Sequence, residues 1–366
     1  MRLLQQPDDG VKPLVNAIDN AQKSIELMVF RFDQKEIERA LKRAVSRGVA
    51  VRAQIAHVNG SGEDALRRVE MRLLAAGVTV SRSDDGFVRY HAKLMIVDRK
   101  ELFLLAFNLT QNDILQSRSF GVITADHRLV AESLKLFEAD VRRQTYEPGL
   151  STFIVSPANA REELGAFIEG AEKELLIYDP RISDPAMLGR LRERSKAGVD
   201  IKVIGQVTGK GWGIGVRKLA TIRLHTRSMI RDRKHFFIGS QSLREAELDR
   251  RREVGAIFDD APSIEKLVAT FLDDWRLSEA GSVRDSPKPR TPATKVAKRV
   301  AKAVSRELPP IAPVLEGTMK ELQVETAELA LDAAIVEEAV REAVKEAVKE
   351  AVRDVVEEAE TNGVPA

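Results

Sequence analysis

A 20-residue stretch and its distorted copy constrain this chain more than any other feature. "HAKLMIVDRKELFLLAFNLT" begins at His91, and "HTRSMIRDRKHFFIGSQSL" begins at His225. They align without gaps, at an offset of 134 residues, over almost thirty positions. The runs "LMIVD" and "ELFLLAF" read as adjacent strands joined by a "DRK" turn. Two copies of so specific a segment predict two copies of one fold.

The surrounding order repeats as well. Val11, Leu14, Val15 and Ile18 are spaced as on a helix, and "SIELMVFRF" follows as a buried strand. "QKEIERALKRAVSRG" is an amphipathic helix stopped by Gly48, and "VAVRAQIA" is the next strand. The second half offers "AREELGAFIEGAEK", "ELLIYDP", "DPAMLGRLRERSKAG" ending at Gly198, and "VDIKVIG" in the same order. Gly48 and Gly198 stand 150 residues apart, so the second copy is shorter between its strand pair and its histidine.

The expected fold class is α/β: two similar α/β sandwich domains, each a mixed sheet flanked by helices, related by pseudo-twofold symmetry, plus a helical C-terminal tail. The boundaries read as 1–147 and 148–283 for the domains, 284–318 for a basic linker rich in proline, lysine and alanine, and 319–366 for the tail. Pseudo-twofold packing brings both histidines to one cleft.

With 366 residues, the chain has enough material for two domains and a tail. It has no cysteine, which excludes disulfides, thiolate zinc sites and cysteine nucleophiles. A net charge of +2 selects no partner. No apolar run approaches the roughly 18 residues that span a bilayer, and "MRLLQQPDDGVKP" lacks the pattern of a signal peptide. The expectation is a cytoplasmic protein, with peripheral membrane contact left open.

On a strand, residues i and i+2 share a face, so His91 projects with Lys93 and His225 with Arg227. A histidine beside a cation suits phosphate chemistry. One imidazole attacks phosphorus and the other protonates the leaving oxygen, while the cations neutralise the equatorial oxygens. No metal or cofactor is required, and no metal-ligand cluster is visible in the sequence.

The H-x-K-(x)4-D pattern at His91, Lys93 and Asp98 is followed by a G-S-x-N-like segment, then an acid before an apolar-Gly-Val strand. Together these resemble the phospholipase D superfamily, the HKD proteins, and its bacterial cardiolipin synthase-like and phospholipase D-like branch with two motifs per chain. The likeness runs from about Val11 to about Leu277. It implies a metal-independent, two-step phosphodiester cleavage or transfer through a phosphohistidine. It also implies that Asp98 and Asp232 brace the scaffold.

Both copies depart from the pattern. The first has Leu105-Ala106 in place of Gly-Ser and Ser119 in place of the acid, but keeps Asn108. The second keeps Gly239, Ser240 and Glu253, with Arg227 for lysine and Ser242 for asparagine. Pooled, the set is nearly complete. The assignment that follows makes His225 the nucleophile oriented by Glu253, and His91 the less well oriented leaving-group acid. Lys93, Arg227, Asn108 and Ser240 hold phosphate oxygens.

The leading reading is a phosphodiesterase or phosphatidyltransferase acting on a phospholipid. A nuclease of the same superfamily and a catalytically decayed phosphate-binding scaffold are the alternatives. The basic linker reads as a tether, an anionic-membrane contact or a nucleic-acid contact, and the tail helix as solvated, self-associating or docked to a protein partner. "GKGWGIGVRK" reads as a flexible loop rimming the cleft, or as a structural turn. His57, His127 and His235 read as ordinary histidines.

Overall fold

The repeated order of helices and strands appears as expected in the computed structural model, which describes residues 1–57, 63–83, 86–209, 211 and 213–280. The linker and tail expected at 284–318 and 319–366 lie outside the described residues, as do Lys210 and Trp212.

The first half runs β1 (Arg2–Gln6), α1 (Lys12–Asn20), β2 (Ser24–Val29), α2 (Lys35–Ser46), β3 (Ala50–Ile55), α3 (Glu63–Ala75), β4 (Thr79–Arg82), β5 (Arg89–Tyr90), β6 (Leu94–Val97), β7 (Glu101–Leu105), α4 (Gln111–Leu115), β8 (Ser117–Thr124) and α5 (His127–Val141). The second runs β9 (Phe153–Ser156), α6 (Ala160–Glu169), β10 (Glu174–Ile182), α7 (Pro185–Lys196), β11 (Asp200–Val207), β12 (Gly215–Lys218), β13 (Arg223–Leu224), β14 (Arg227–Arg231), β15 (His235–Gly239), α8 (Glu245–Asp249), β16 (Arg251–Phe258), α9 (Ala261–Leu277) and β17 (Glu279–Ala280). The second copy is shorter where the first has α3: among the described residues, no helix stands between β11 and β12.

One mixed sheet has the order β1-β8-β7-β6-β2-β3-β4, and the other β17-β12-β11-β10-β14-β15-β16-β5, with β9 also on β16. The two sheets exchange short strands. β5 of the first half pairs with β16 of the second, and β13 of the second pairs with β8 of the first. Each exchanged strand ends at the residue before a histidine.

Alternation along the strands builds the layers. Leu94, Ile96, Leu102 and Leu104 point into a central core that also takes Ile230, Phe236 and Ile238 of the other sheet. Met95, Val97, Phe103 and Leu105 point the other way, onto α1 and α2, while Met229 and Phe237 point onto α6 and α7. The central core also holds Leu136 and Phe137 of α5 and Leu267 and Phe271 of α9. One continuous apolar layer therefore joins the halves.

Each hairpin turns at an Asp-Arg pair with positive φ: +53° and +54° at Asp98 and Arg99, and +52° at both Asp232 and Arg233. Two successive left-handed residues are what a tight, right-twisted hairpin turn needs, and aspartate tolerates that region. The Asp98 carboxylate accepts the backbone N–H groups of Gln22, Lys23 and Ser24, and Asp232 accepts those of Glu172, Lys173 and Glu174.

The "GKGWGIGVRK" stretch is not wholly a loop. Its last four residues form β12 beside β11, and Arg217 stacks 4.6 Å from the Trp275 ring and donates to the Trp275 carbonyl. Among the described residues no helix is long and apolar enough to cross a membrane.

Candidate active site

The strand exchange sets the site. The N–H of His91 donates to the Arg252 carbonyl at 2.8 Å, which puts the ring beside the next residue on β16, Glu253. The N–H of His225 donates to the Arg118 carbonyl at 3.1 Å, which puts that ring beside Ser119 on β8. Each histidine thus reads the acid position of the opposite copy.

Glu253 consequently serves His91, not His225. Its Oε2 lies 2.7 Å from His91 Nδ1, and both side chains are buried. The expected pairing of Glu253 with His225 is corrected. His91 is the ring oriented by a carboxylate, and His225 is the ring whose family acid has become a serine. Ser119 Oγ instead donates to the His225 carbonyl at 2.9 Å.

The nearest carboxylate to His225 is one that the motif does not include. Asp113 Oδ2 stands 3.4 Å from His225 Nδ1, outside hydrogen-bond geometry, so that Nδ1 is a buried nitrogen without a hydrogen-bond partner. The same oxygen accepts the Asn108 N–H at 2.9 Å and Asn108 Nδ2 at 2.7 Å. Its counterpart 134 residues on, Glu247, accepts the Ser242 N–H at 2.7 Å. That two acids fall at equal positions in the copies was a readable signal. So was the arginine two residues before each histidine, Arg89 and Arg223.

The cations converge on both rings. Burial, Lys93 and then Arg227 hold His91 well below the usual imidazole range. Burial also holds His225 well below it; Asp113 opposes, while Arg227, Arg223 and Lys93 add to the lowering. Lys93 and Arg227 come from different halves yet act on both histidines, so the two copies form one site. Burial and the neighbouring cations thus favour the neutral form of both imidazoles.

Lys93 is only 3% exposed, and its Nζ donates to the His91 carbonyl at 2.7 Å. Burial brings its pKa down to about 7, with Glu253 opposing. Glu253 itself is pushed up by burial, against Lys93, Ser240 and Arg227. Arg227 spends Nε on Ser242 Oγ at 3.2 Å, while its buried Nη1 has no partner. A buried guanidinium N–H without an acceptor fits a site for an anionic oxygen. Asn108 donates to Asp113 through Nδ2, and its Oδ1 is buried without a partner. Phe30 covers His91 edge-on at a centroid distance of 4.8 Å.

Ser240 has partners of its own on the backbone. Its hydroxyl accepts the Val254 N–H at 3.0 Å and donates to the Val254 carbonyl at 3.3 Å, which ties two strand ends together. Gly239 has an equally local reason. Its Cβ would sit 2.8 Å from Gly255 Cα and 2.6 Å from the Phe237 ring. In the first half Leu105 pairs with Gly121, and a Cβ on Gly121 would lie 3.0 Å from the Leu105 side chain. One glycine per pair suffices there, so Leu105 is accommodated by Gly121 across the pair. His127 opens α5 and His235 opens β15, and neither belongs to this constellation.

The protein-family model described as cardiolipin synthase, PLD-like domain, matches residues 14–141 and 164–275. The mitochondrial cardiolipin hydrolase of Danio rerio is 30% identical over 134 residues, which is 34% of this chain. The match spans 56% of that relative's length. Among solved structures, polyphosphate kinase from Porphyromonas gingivalis superposes with a TM-score of 0.65 at 19% identity, over 75% of this chain and 47% of that one. Phosphatidylserine synthase from Haemophilus influenzae Rd KW20 superposes with a TM-score of 0.60 at 12% identity, over 82% of this chain and 93% of that one. At such identities the two structures show a shared fold. With the family model covering both halves, the chain belongs to the phospholipase D superfamily, as one polypeptide carrying two copies of its domain.

Proposed function

We infer that the protein cleaves or transfers a phosphodiester through a phosphohistidine on His91, with a phospholipid as substrate. The observation that carries this reading is the His91–Glu253 pair at 2.7 Å, set among cations contributed by both copies. Nδ1 is spent on Glu253, so attack falls to Nε2, whose lone pair is available because the ring is neutral at pH 7. The Nε2–P bond forms as the P–O bond to the leaving group breaks, and the leaving oxygen takes a proton from His225. In the second step water or an alcohol attacks phosphorus and gives its proton to His225, and the P–N bond breaks with its electron pair returning to His91. The cations Lys93 and Arg227 neutralise the equatorial oxygens. An arriving anionic phosphate also stabilises the protonated forms of Lys93 and His225, which burial disfavours.

Turnover of fluorescent phosphatidylglycerol and cardiolipin in mixed micelles, with and without EDTA, tests this reading. Release or exchange of the headgroup that resists the chelator supports it. Loss of turnover in EDTA contradicts it, and cleavage of DNA with both lipids untouched moves the substrate to nucleic acid. Tight binding of phosphate with no turnover of any diester leaves a scaffold.

A further inference from the structure

The phosphohistidine reading makes His225 the leaving-group acid, yet the acid position that faces it from the other copy holds Ser119, and burial with three cations works against its proton. We propose that Asp113 is the positioning residue that supplies the missing negative charge to His225, so that the two histidines are served by acids of different origin and different action. The proposal rests on the reading of His225 as acid, but its geometry stands apart from that reading.

Asp113 is 3% exposed, and its carboxylate is held from several directions. Oδ2 takes both donors of Asn108, and Oδ1 takes Arg223 Nη1 at 2.7 Å. Arg223 comes from the second half, two residues before His225, so the cation that fixes Asp113 travels with the histidine that Asp113 serves. Burial works to raise the Asp113 pKa, but His225, Arg223 and the Asn108 amide outweigh it and bring it down to about 2. The carboxylate is therefore ionised across the neutral range.

The two acids contact their rings differently. Glu253 is within hydrogen-bond reach of Nδ1, which fixes ring orientation and tautomer. Asp113 has its lone pairs occupied by Asn108 and Arg223 and stands 3.4 Å from Nδ1. It acts through charge, favouring imidazolium over imidazole. A nucleophile needs a fixed lone pair, whereas an acid needs a retained proton. The groups acting on His225 besides Asp113 are Arg227, Arg223 and Lys93, and all three oppose that proton.

The test uses the full chain with saturating inorganic phosphate, following the imidazole nitrogens of His91 and His225 by NMR from pH 4 to 9. In Asp113→Asn the His225 titration is expected to move down by about 1 pH unit or more, with His91 unmoved. In Glu253→Gln, His225 stays in place. Adding Ser119→Glu to Asp113→Asn puts an acid where the other copy has Glu253, and is expected to return His225 toward its original titration. An unmoved His225 in Asp113→Asn, with the His91 signal native, overturns the proposal.

A kinetic arm uses two diesters. Loss of the acid's charge partner is expected to slow first-turnover release of the leaving group by about 100-fold with a methyl phosphodiester and under about 3-fold with a p-nitrophenyl diester, whose leaving group needs no proton. Equal losses on both make Asp113 merely structural. If the wild type turns over neither diester, the catalytic reading fails while the NMR arm still decides the role of Asp113.

Discussion

The two halves of this molecule share a backbone plan and differ in how each histidine is served. In the copy that begins at His91 the hairpin has lost Gly-Ser, yet the ring is fully supported, because Glu253 reaches it from the other half at 2.7 Å. In the copy that begins at His225 the Gly-Ser step is intact, yet the ring faces Ser119 and draws on Asp113 at 3.4 Å. Motif completeness within a copy is therefore a poor guide to chemical competence.

The interface that enforces this exchange has its own symmetric braces. Arg252 on β16 pairs with Asp140 on α5 at 3.0 Å, and Arg118 on β8 pairs with Asp274 on α9 at 2.8 Å. Each pair links one half to the other and is largely buried. Removing one partner of such a pair strands a buried charge, which typically costs about 3–5 kcal/mol.

Substitutions at the two histidines separate the halves most strongly. His91→Ala is expected to lower kcat by at least about 10⁴-fold on every diester, because no second nucleophile stands in its place. His225→Ala is expected to cost as much on a methyl diester but far less in the first-turnover burst of nitrophenolate from a p-nitrophenyl diester, because His225 also takes the proton in the second step. Next in size, Glu253→Gln should cost about 100-fold on both diesters alike, since a loosely oriented nucleophile slows attack whatever departs.

Lys93 gives a smaller effect on stability, with a defined sign. Its folded-state pKa is about 7 against an ordinary lysine value of 10.5. Between those values the unfolded chain binds the extra proton, so this group makes stability rise with pH from 7 to 10.5; below pH 7 the full cost of the buried charge is present. Lys93→Met should therefore raise Tm by a few degrees at pH 6.5, with the gain fading toward pH 10, as read by calorimetry of the full chain. Smallest of all, Ala106→Ser should change kcat by less than about 2-fold. Its counterpart Ser240 spends its hydroxyl on the Val254 backbone, so restoring the family residue adds a strand tie and no phosphate contact.

Much of the frame was legible because it is local and periodic. The β6–β7 and β14–β15 hairpins, the helices stopped at Gly48 and Gly198, and the joint use of His91 and His225 follow from spacing and from the offset between copies. The partner of Glu253 was not legible. β5 and β13 are two residues long, too short to signal a strand, and their pairing across 162 and 106 residues is fixed by packing of the central core. An alignment offset shows which residues are equivalent, but not whether an acid faces its own histidine or the other. Asp113 was hidden for a related reason: it sits five residues past Asn108 on a short helix, where its side chain reads as an ordinary turn residue until Arg223 arrives from the other half.

The account turns on which ring carries the phosphorus. The direct measurement is to mix the protein with a ³²P-labelled diester, quench in alkali within the first turnover, and map the labelled histidine by peptide mass spectrometry. The account predicts label on His91, enriched in His225→Ala with a p-nitrophenyl leaving group and reduced in Glu253→Gln. Label on His225 that persists in His91→Ala would contradict it.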